Sequence, residues 1–334
     1  MTDSSIGGIQ VVLPRVSIVI VHTSRPDLLE GCLRSIACSA GAEQYEVLVV
    51  DNVSGSGDIE FLVENAFPGT RLLRLQERSG LSRASNFGFR AARAELIFWL
   101  NDDTVLEIQT IDTLATFIES QPSYGVVAPK LLNADGTYQG SYSNRDLSPL
   151  REIAEQFGIR RFWTGGDLAR SPDDDESVEQ DALVVSGICM FRARALMGVG
   201  GLDERVFLYT EEFDICRMLK GNGWRIRYLP AAVLVHFGGA STGRLVDNPR
   251  TRQFQLQMIL SRLAYYRKHY GNTWERIAAM SIFAGSLCRV FFYAFKGLFR
   301  ADRIAYAQAT FFFEVSRYCI GPLRRRADSL PKGF

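Results

Sequence analysis

An α/β fold, a mostly parallel sheet flanked by helices with a C-terminal helical appendage, is what this 334-residue chain predicts. Three observations predict it. Apolar strands alternate with helical patterns through the first 130 residues, polar and acidic residues stand directly behind those strands, and the segment from about 250 turns basic, aromatic and helical.

Val16-Ser17-Ile18-Val19-Ile20-Val21 is a near-continuous apolar strand, and Leu28, Leu29, Cys32, Leu33 and Ile36 then fall at helical spacing over 27–38. Glu46–Val50 is a second strand, closed by Asp51. Residues 58–66 read as a helix, 71–75 as a strand and 81–94 as a helix; Leu96–Leu100 is a strand, 108–120 a helix, and a further strand lies near Val126-Val127-Ala128. Buried strands separated by helices make a parallel sheet covered on both faces, and such sheets bind ligands at the carboxyl ends of their strands. His22, Asp51, Asp102 and Asp103 all stand at such ends.

Residues 133–181 read as irregular and polar, with Gly165-Gly166 and the acidic run Asp173–Glu176 as solvated loop. Order returns at Leu183–Gly187, a helix is expected from about 211 to 220, and 225–229 and 233–235 read as two strands. The expected division is a leader over 1–14, a main domain over 15–248 with a donor half (15–130) and an acceptor half (131–248), and a helical region over 249–334.

Charge is distributed unevenly. Residues 250–334 hold 15 Lys and Arg against 4 Asp and Glu, which leaves residues 1–249 with 23 basic and 33 acidic side chains. A basic, aromatic tail suits a polyanionic surface. Phe283, Leu287, Val290, Phe291, Ala294 and Leu298 form one helical stripe, with Arg289, Lys296 and Arg300 on another face and Arg324-Arg325-Arg326 beyond. The uncharged stretch Ile277–Cys288 is shorter than the roughly 20 residues of a span, so the pattern predicts an amphipathic helix lying in an anionic membrane surface, or packing on protein. Six scattered cysteines without a CxxC pair argue against a zinc site or a disulfide framework and fit a reducing compartment. No basic n-region and apolar core opens the chain as a signal peptide would.

Leu100-Asn101-Asp102-Asp103-Thr104, behind the apolar run 96–99, supplies oxygen ligands for a hard cation such as Mg²⁺ or Mn²⁺ that also holds a diphosphate; the same letters also make a turn. Asp51 can accept from the N3–H of a uracil or thymine, or cap its own turn. Glu211, Glu212 and Asp214 fan around the first turn of one helix, so one can face a cleft as general base while another pairs with Arg217. His236, ending an apolar run, is a metal ligand or a core histidine.

Taken together, Val16–Val21, Val49–Ser54, Ser85-Asn86-Phe87-Gly88, Leu100–Thr104, Ser186–Arg192, Val199–Glu204, Tyr209–Arg217 and Leu229–Ser241 resemble the inverting family 2 glycosyltransferases of GT-A fold, especially their rhamnosyltransferase-like branch. The resemblance spans roughly 15–245. It implies that Asp51 binds the nucleotide base and that Asp103 and His236 bind the metal. It places Asp102, with His22, Asn52, Arg83, Asn86 and Arg217, on the donor side, and makes Glu212 the base beside Glu211 and Asp214. The implied reaction moves a sugar, L-rhamnose among the candidates, from a UDP- or dTDP-sugar to a lipid-linked or polysaccharide hydroxyl at the inner face of a cell membrane. Three positions depart from the family pattern: Glu211-Glu212 replaces Glu-Asp, Arg78-Ser79-Gly80 replaces Asn-x-Gly, and His22-Thr23 ends the first strand.

Competing readings lack their signatures. A nucleotidyltransferase needs a glycine-rich basic loop where 22–27 has no glycine, and a dehydrogenase needs G-x-G-x-x-G there. A non-catalytic nucleotide- or membrane-binding module is the alternative, and nucleic-acid binding is not expected.

Overall fold

Val16–His22 (β1) is buried along its whole length because it lies inside the sheet, and its side chains feed two cores. Ile18 and Ile20 pack with Leu29, Leu33, Val63, Leu114 and Ile118 on one face. Val19 and Val21 pack with Phe89, Leu196, Ile215 and Leu219 on the other. The computed structural model describes residues 13–55, 57, 59–143, 146–158, 177, 179–206, 210–238, 249–300 and 303–320. The body of the expected leader, Gly165-Gly166, the 173–176 run, Tyr209 and the 324–326 arginines lie outside these residues.

The chain continues through α1 (Pro26–Ala37), β2 (Tyr45–Asp51), α2 (Ile59–Ala66), β3 (Arg71–Arg74), α3 (Leu81–Ala91), β4 (Leu96–Asn101), β5 (Thr104–Leu106), α4 (Thr110–Ser120) and β6 (Tyr124–Leu132). After β7 (Tyr142–Ser143) come α5 (Pro149–Gln156), β8 (Gln180–Asp181), β9 (Val184–Val185), β10 (Cys189–Arg192), α6 (Ala193–Gly198), α7 (Glu211–Gly221) and β11 (Arg225–His236). The sheet runs β3-β2-β1-β4-β10-β6-β11-β5, with β8 added to β11. Strands β3, β2, β1 and β4 are mutually parallel, as are β6 and β11; β10 is antiparallel to both of its neighbours, and β5 and β8 are antiparallel to β11.

Helix α3 lies so close to the sheet that a Cβ at Gly88 would collide with Val19 and Val50, so only glycine fits there. Phe89 above it joins Trp99 and Phe191 in an aromatic cluster with centroids 6.1–6.5 Å apart.

Three expectations change. The two strands at 225–229 and 233–235 are one, because Pro230 only shifts the register between Leu229 and Val233 and leaves the pairing with β6 intact. The irregular stretch holds α5, started by Pro149 and by Ser148, whose hydroxyl accepts from the Arg151 amide. Short β10, with no alternating pattern of its own, completes the sheet between β4 and β6.

The tail forms α8 (Pro249–Tyr270), α9 (Asn272–Arg300) and α10 (Arg303–Ile320), which share a third core of Leu263, Tyr266, Ala278, Ile282, Phe311 and Val315. In the second half of α9 the basic and apolar faces are the reverse of a surface helix. Arg289 turns inward, donating to Gln156 Oε1 at 2.6 Å and lying on the Phe312 ring, whereas Phe291, Phe295 and Leu298 are 73%, 66% and 73% exposed. Residues 272–298 are long and apolar enough to cross a membrane by length and composition, with a mean hydropathy of 1.6 over an 18-residue window that is 33% buried. The shorter uncharged run of the sequence stops at Arg289, which is half-buried and bonded to Gln156.

Candidate active site

The strand order reverses between β1 and β4, and sheets of this kind bind ligands outside the carboxyl ends of the strands at such a reversal. His22 ends β1 fully buried, with Nδ1 2.8 Å from Asp102 Oδ2. Burial pushes the Asp102 carboxyl above the usual carboxylate range, although its bond to His22 pulls the other way. At the end of β2, Asp51 Oδ1 accepts from the Ser54 amide at 2.8 Å, which is the turn-cap role, and Oδ2 lies 3.8 Å from Arg74 Nε. Asn52 is nearly fully buried, and its side chain donates to Ser79 O and accepts from Ser79 N at 2.9 and 2.8 Å, pinning the loop before α3.

The segment after β4 meets the end of β11 because His236 pairs in register with Thr104 of β5. His236 Nε2 lies 3.1 Å from Asp103 Oδ1 and 3.2 Å from Asn101 Nδ2, and Nδ1 lies 2.6 Å from Gln139 Oε1. Asp103 and His236 therefore come together although 133 positions separate them. Among the described residues no three or more His, Cys, Asp or Glu side chains converge on one point. This pair, an imidazole nitrogen and a carboxylate oxygen facing each other, is the donor set that fits a divalent cation whose remaining ligands come from a diphosphate and water.

Helix α7 brings the paired glutamates to the same end of the sheet. Thr210 precedes it in the left-handed region (φ 88°), and the Glu211 carboxylate is buried, its Oε2 without a hydrogen-bond partner among the described residues. Burial, and then the adjacent Glu212, push Glu211 well above the usual glutamate range; burial likewise raises Glu212. Burial and then Cys216 raise the Cys189 thiol, and Glu212 adds to that push. Cys189 pairs with Trp99, two residues before Asn101, and Cys216 of α7 packs in the same core as both.

Other candidate residues hold elements together. Asp214 faces the tail, with Lys268 Nζ at 2.7 Å and His269 Nε2 at 2.6 Å. Arg217 donates to Asp146 and to Tyr270 at 2.9 and 2.8 Å and lies on the Tyr270 ring. Asn86 is exchanged with Leu202, its Nδ2 donating to Leu202 O and its Oδ1 accepting from Leu202 N, which ties α3 to the loop after α6. Arg83 is exposed beside Glu77. Gln139, Lys268 and His269 carried no sequence signal: a lone glutamine in an irregular stretch and a basic pair on a basic helix look like surface.

The sequence profile described as Glycosyl transferase family 2 matches residues 17–175. The N-acetylglucosaminyl-diphospho-decaprenol L-rhamnosyltransferase of Mycobacterium tuberculosis (strain ATCC 25618 / H37Rv) is 29% identical over 248 residues, covering 70% of this chain and 78% of that protein. Rhamnosyltransferase WbbL of Escherichia coli (strain K12) is 24% identical over 242 residues, covering 66% and 83%. Among solved structures, the mannosyltransferase PcManGT from Pyrobaculum calidifontis, in complex with GDP-Man and Mn²⁺, superposes with a TM-score of 0.51 at 17% identity, over 92% of this chain and 87% of that one. That likeness establishes the GT-A fold. The family profile and the rhamnosyltransferase relatives agree on one kind of enzyme: the chain is a glycosyltransferase, similar to family 2 and, within it, to the rhamnosyltransferase-like branch.

Proposed function

We propose that this enzyme is an inverting, metal-dependent glycosyltransferase that moves a sugar, L-rhamnose by the likeness of its relatives, from a UDP- or dTDP-sugar to a hydroxyl of a lipid-linked or polysaccharide acceptor. The observation that supports this reading best is the meeting of Asp103 and His236 at the carboxyl end of β4, in a chain that also carries the Glu211-Glu212 pair, Glu211 buried and Glu212 half-buried, on the first turn of α7. Residues 15–130 would hold the donor and 131–248 the acceptor. Asp51, whose Oδ2 is not used by the turn and lies 3.8 Å from Arg74, would accept from a pyrimidine N3–H, and Asp102, bonded to His22, would face the donor ribose or sugar. A Mg²⁺ or Mn²⁺ ion held by Asp103 and His236 would neutralise the negative charge that grows on the departing diphosphate. Glu212 takes the acceptor hydroxyl proton as that oxygen bonds the anomeric carbon; the bond to the diphosphate oxygen breaks from the opposite face, and its electron pair leaves with the nucleotide. Configuration inverts, and no covalent intermediate forms.

The exposed Phe291–Leu298 face on a strongly basic region supports peripheral attachment to an anionic membrane on its cytoplasmic face. Calorimetric titration with UDP, dTDP, GDP and ADP, with and without Mn²⁺, tests the donor site. Metal-dependent binding of UDP or dTDP, lost in Asp103→Ala, is expected; folded protein that binds no diphosphate would sink the proposal.

A further inference from the structure

Gln139 lies in the loop between β6 and β7, and its amide is fixed at both ends. Its Nε2 donates to Asn133 Oδ1 at 2.9 Å and to the His236 carbonyl at 3.1 Å. Both partners are acceptors, so the nitrogen must face them and Oε1 must face the His236 ring, 2.6 Å from Nδ1. An amide oxygen only accepts; Nδ1 therefore carries the hydrogen, and in the neutral ring Nε2 carries a lone pair. On that side Asn101 Nδ2 donates at 3.2 Å, while Asp103 Oδ1, a second acceptor, lies 3.1 Å away. Two lone pairs at that distance repel unless a cation or a proton lies between them. Gly238 closes the arrangement, since a Cβ there would press on the His236 ring at 2.9 Å and on Gln139 Nε2 at 3.2 Å.

We propose that Gln139 is a positioning residue that locks His236 in the Nδ1–H tautomer, leaving Nε2 to share a divalent cation with Asp103. The cation half of this rests on the metal reading of Asp103 and His236; the tautomer half does not. A ring whose second nitrogen is held by a fixed partner is oriented and is the better ligand for it, and loss of such a partner costs about 10- to 100-fold in metal affinity.

The chain has three histidines, so histidine-selective ¹⁵N labelling of the full protein gives a readable long-range ¹H–¹⁵N spectrum. His236 is assigned by its disappearance in His236→Asn, and spectra are taken at pH 8 without metal. The Nδ1–H tautomer is expected in the unaltered protein and in Gln139→Glu, which still accepts from Nδ1–H, and is lost in Gln139→Leu. Mn²⁺ binding in the presence of UDP, read from the spin-resonance signal of free Mn²⁺, should weaken about 10- to 100-fold in Gln139→Leu and recover largely in Gln139→Glu. An Nε2–H tautomer in the unaltered protein, or a tautomer unmoved by Gln139→Leu, overturns the proposal. If the unaltered protein shows the Nδ1–H form but binds no Mn²⁺, the cation reading falls while the hold of Gln139 on the ring stands.

Discussion

Lys268, near the end of α8, sets its ammonium 2.7 Å from the Asp214 carboxylate of α7 and 2.9 Å from Asp203. The helix that opens with Glu211 and Glu212 is thereby braced by the tail, and His269 takes the other Asp214 oxygen.

Lys268→Met leaves two largely buried carboxylates short of a partner, and should lower stability by about 2 kcal/mol in urea unfolding. Burial alone would raise Asp203, but Arg205 and Lys268 outweigh it and hold the carboxyl well below the usual range. A depressed acid stabilises the fold above its unfolded pKa of about 3.9 and loses that contribution as pH falls through the folded value. The deficit of the variant should therefore be full at pH 7 and shrink below about pH 4.

Glu211→Gln should behave in the opposite sense. Its folded pKa lies above the unfolded value of about 4.3, so the native state binds the extra proton and stability falls as pH rises between the two. Removing the charge should make the protein more stable than wild type at pH 8 and equal to it near pH 4, with the crossover read from melting temperatures across pH.

Glu212→Gln should cut transfer by about 10²- to 10⁴-fold with nucleotide affinity unchanged. Burial raises Glu212, and only its ionised form can take a proton, so the wild-type rate should climb with pH through a value above the ordinary glutamate range. Transfer that survives Glu212→Gln, or a rate flat between pH 4 and 8, would move the base elsewhere.

The first half of the fold was legible because β1, β2 and β4 are apolar along nearly their whole length and so announce central parallel strands. His22, Asp51, Asp102 and Asp103 were legible for the same reason, since each follows such a run. Strand β10 was not: four residues, Cys189–Arg192, carry too little pattern to show a direction. That Arg217 holds its helix in place was one of two sequence readings, beside a place near the diphosphate, but the partners of Asp214 and Arg217 were hidden. Their partners Lys268 and Tyr270 lie some fifty residues on, and local spacing shows a helix turn but not what docks against it. What α9 packs against was hidden in the same way: Arg289 donates to Gln156, 133 positions earlier, while Phe291, Phe295 and Leu298 are left outside.

Phe291→Ser with Phe295→Ser removes two exposed rings and should leave the melting temperature within the range of surface changes, about 0.5 kcal/mol. Sedimentation with vesicles rich in phosphatidylglycerol should fall at least tenfold, while uncharged vesicles should bind neither protein. Equal vesicle binding by both proteins would place the contact elsewhere, and binding of duplex DNA in preference to lipid would reassign the basic tail.

Strand β10 lies between β4 and β6, yet it leaves the ribosome some sixty residues after β6. The four parallel strands from β3 to β4 can pair as soon as they emerge; β6 can join them only when residues 189–192 arrive to bridge the gap. Asp103 must wait longer still, for His236 at the far end of β11. Synthesis thus delivers the β1–β4 end of the sheet early and the His236 partner of Asp103 late, so a nascent chain halted before β11 exposes strand edges with Asp103 still waiting for that partner.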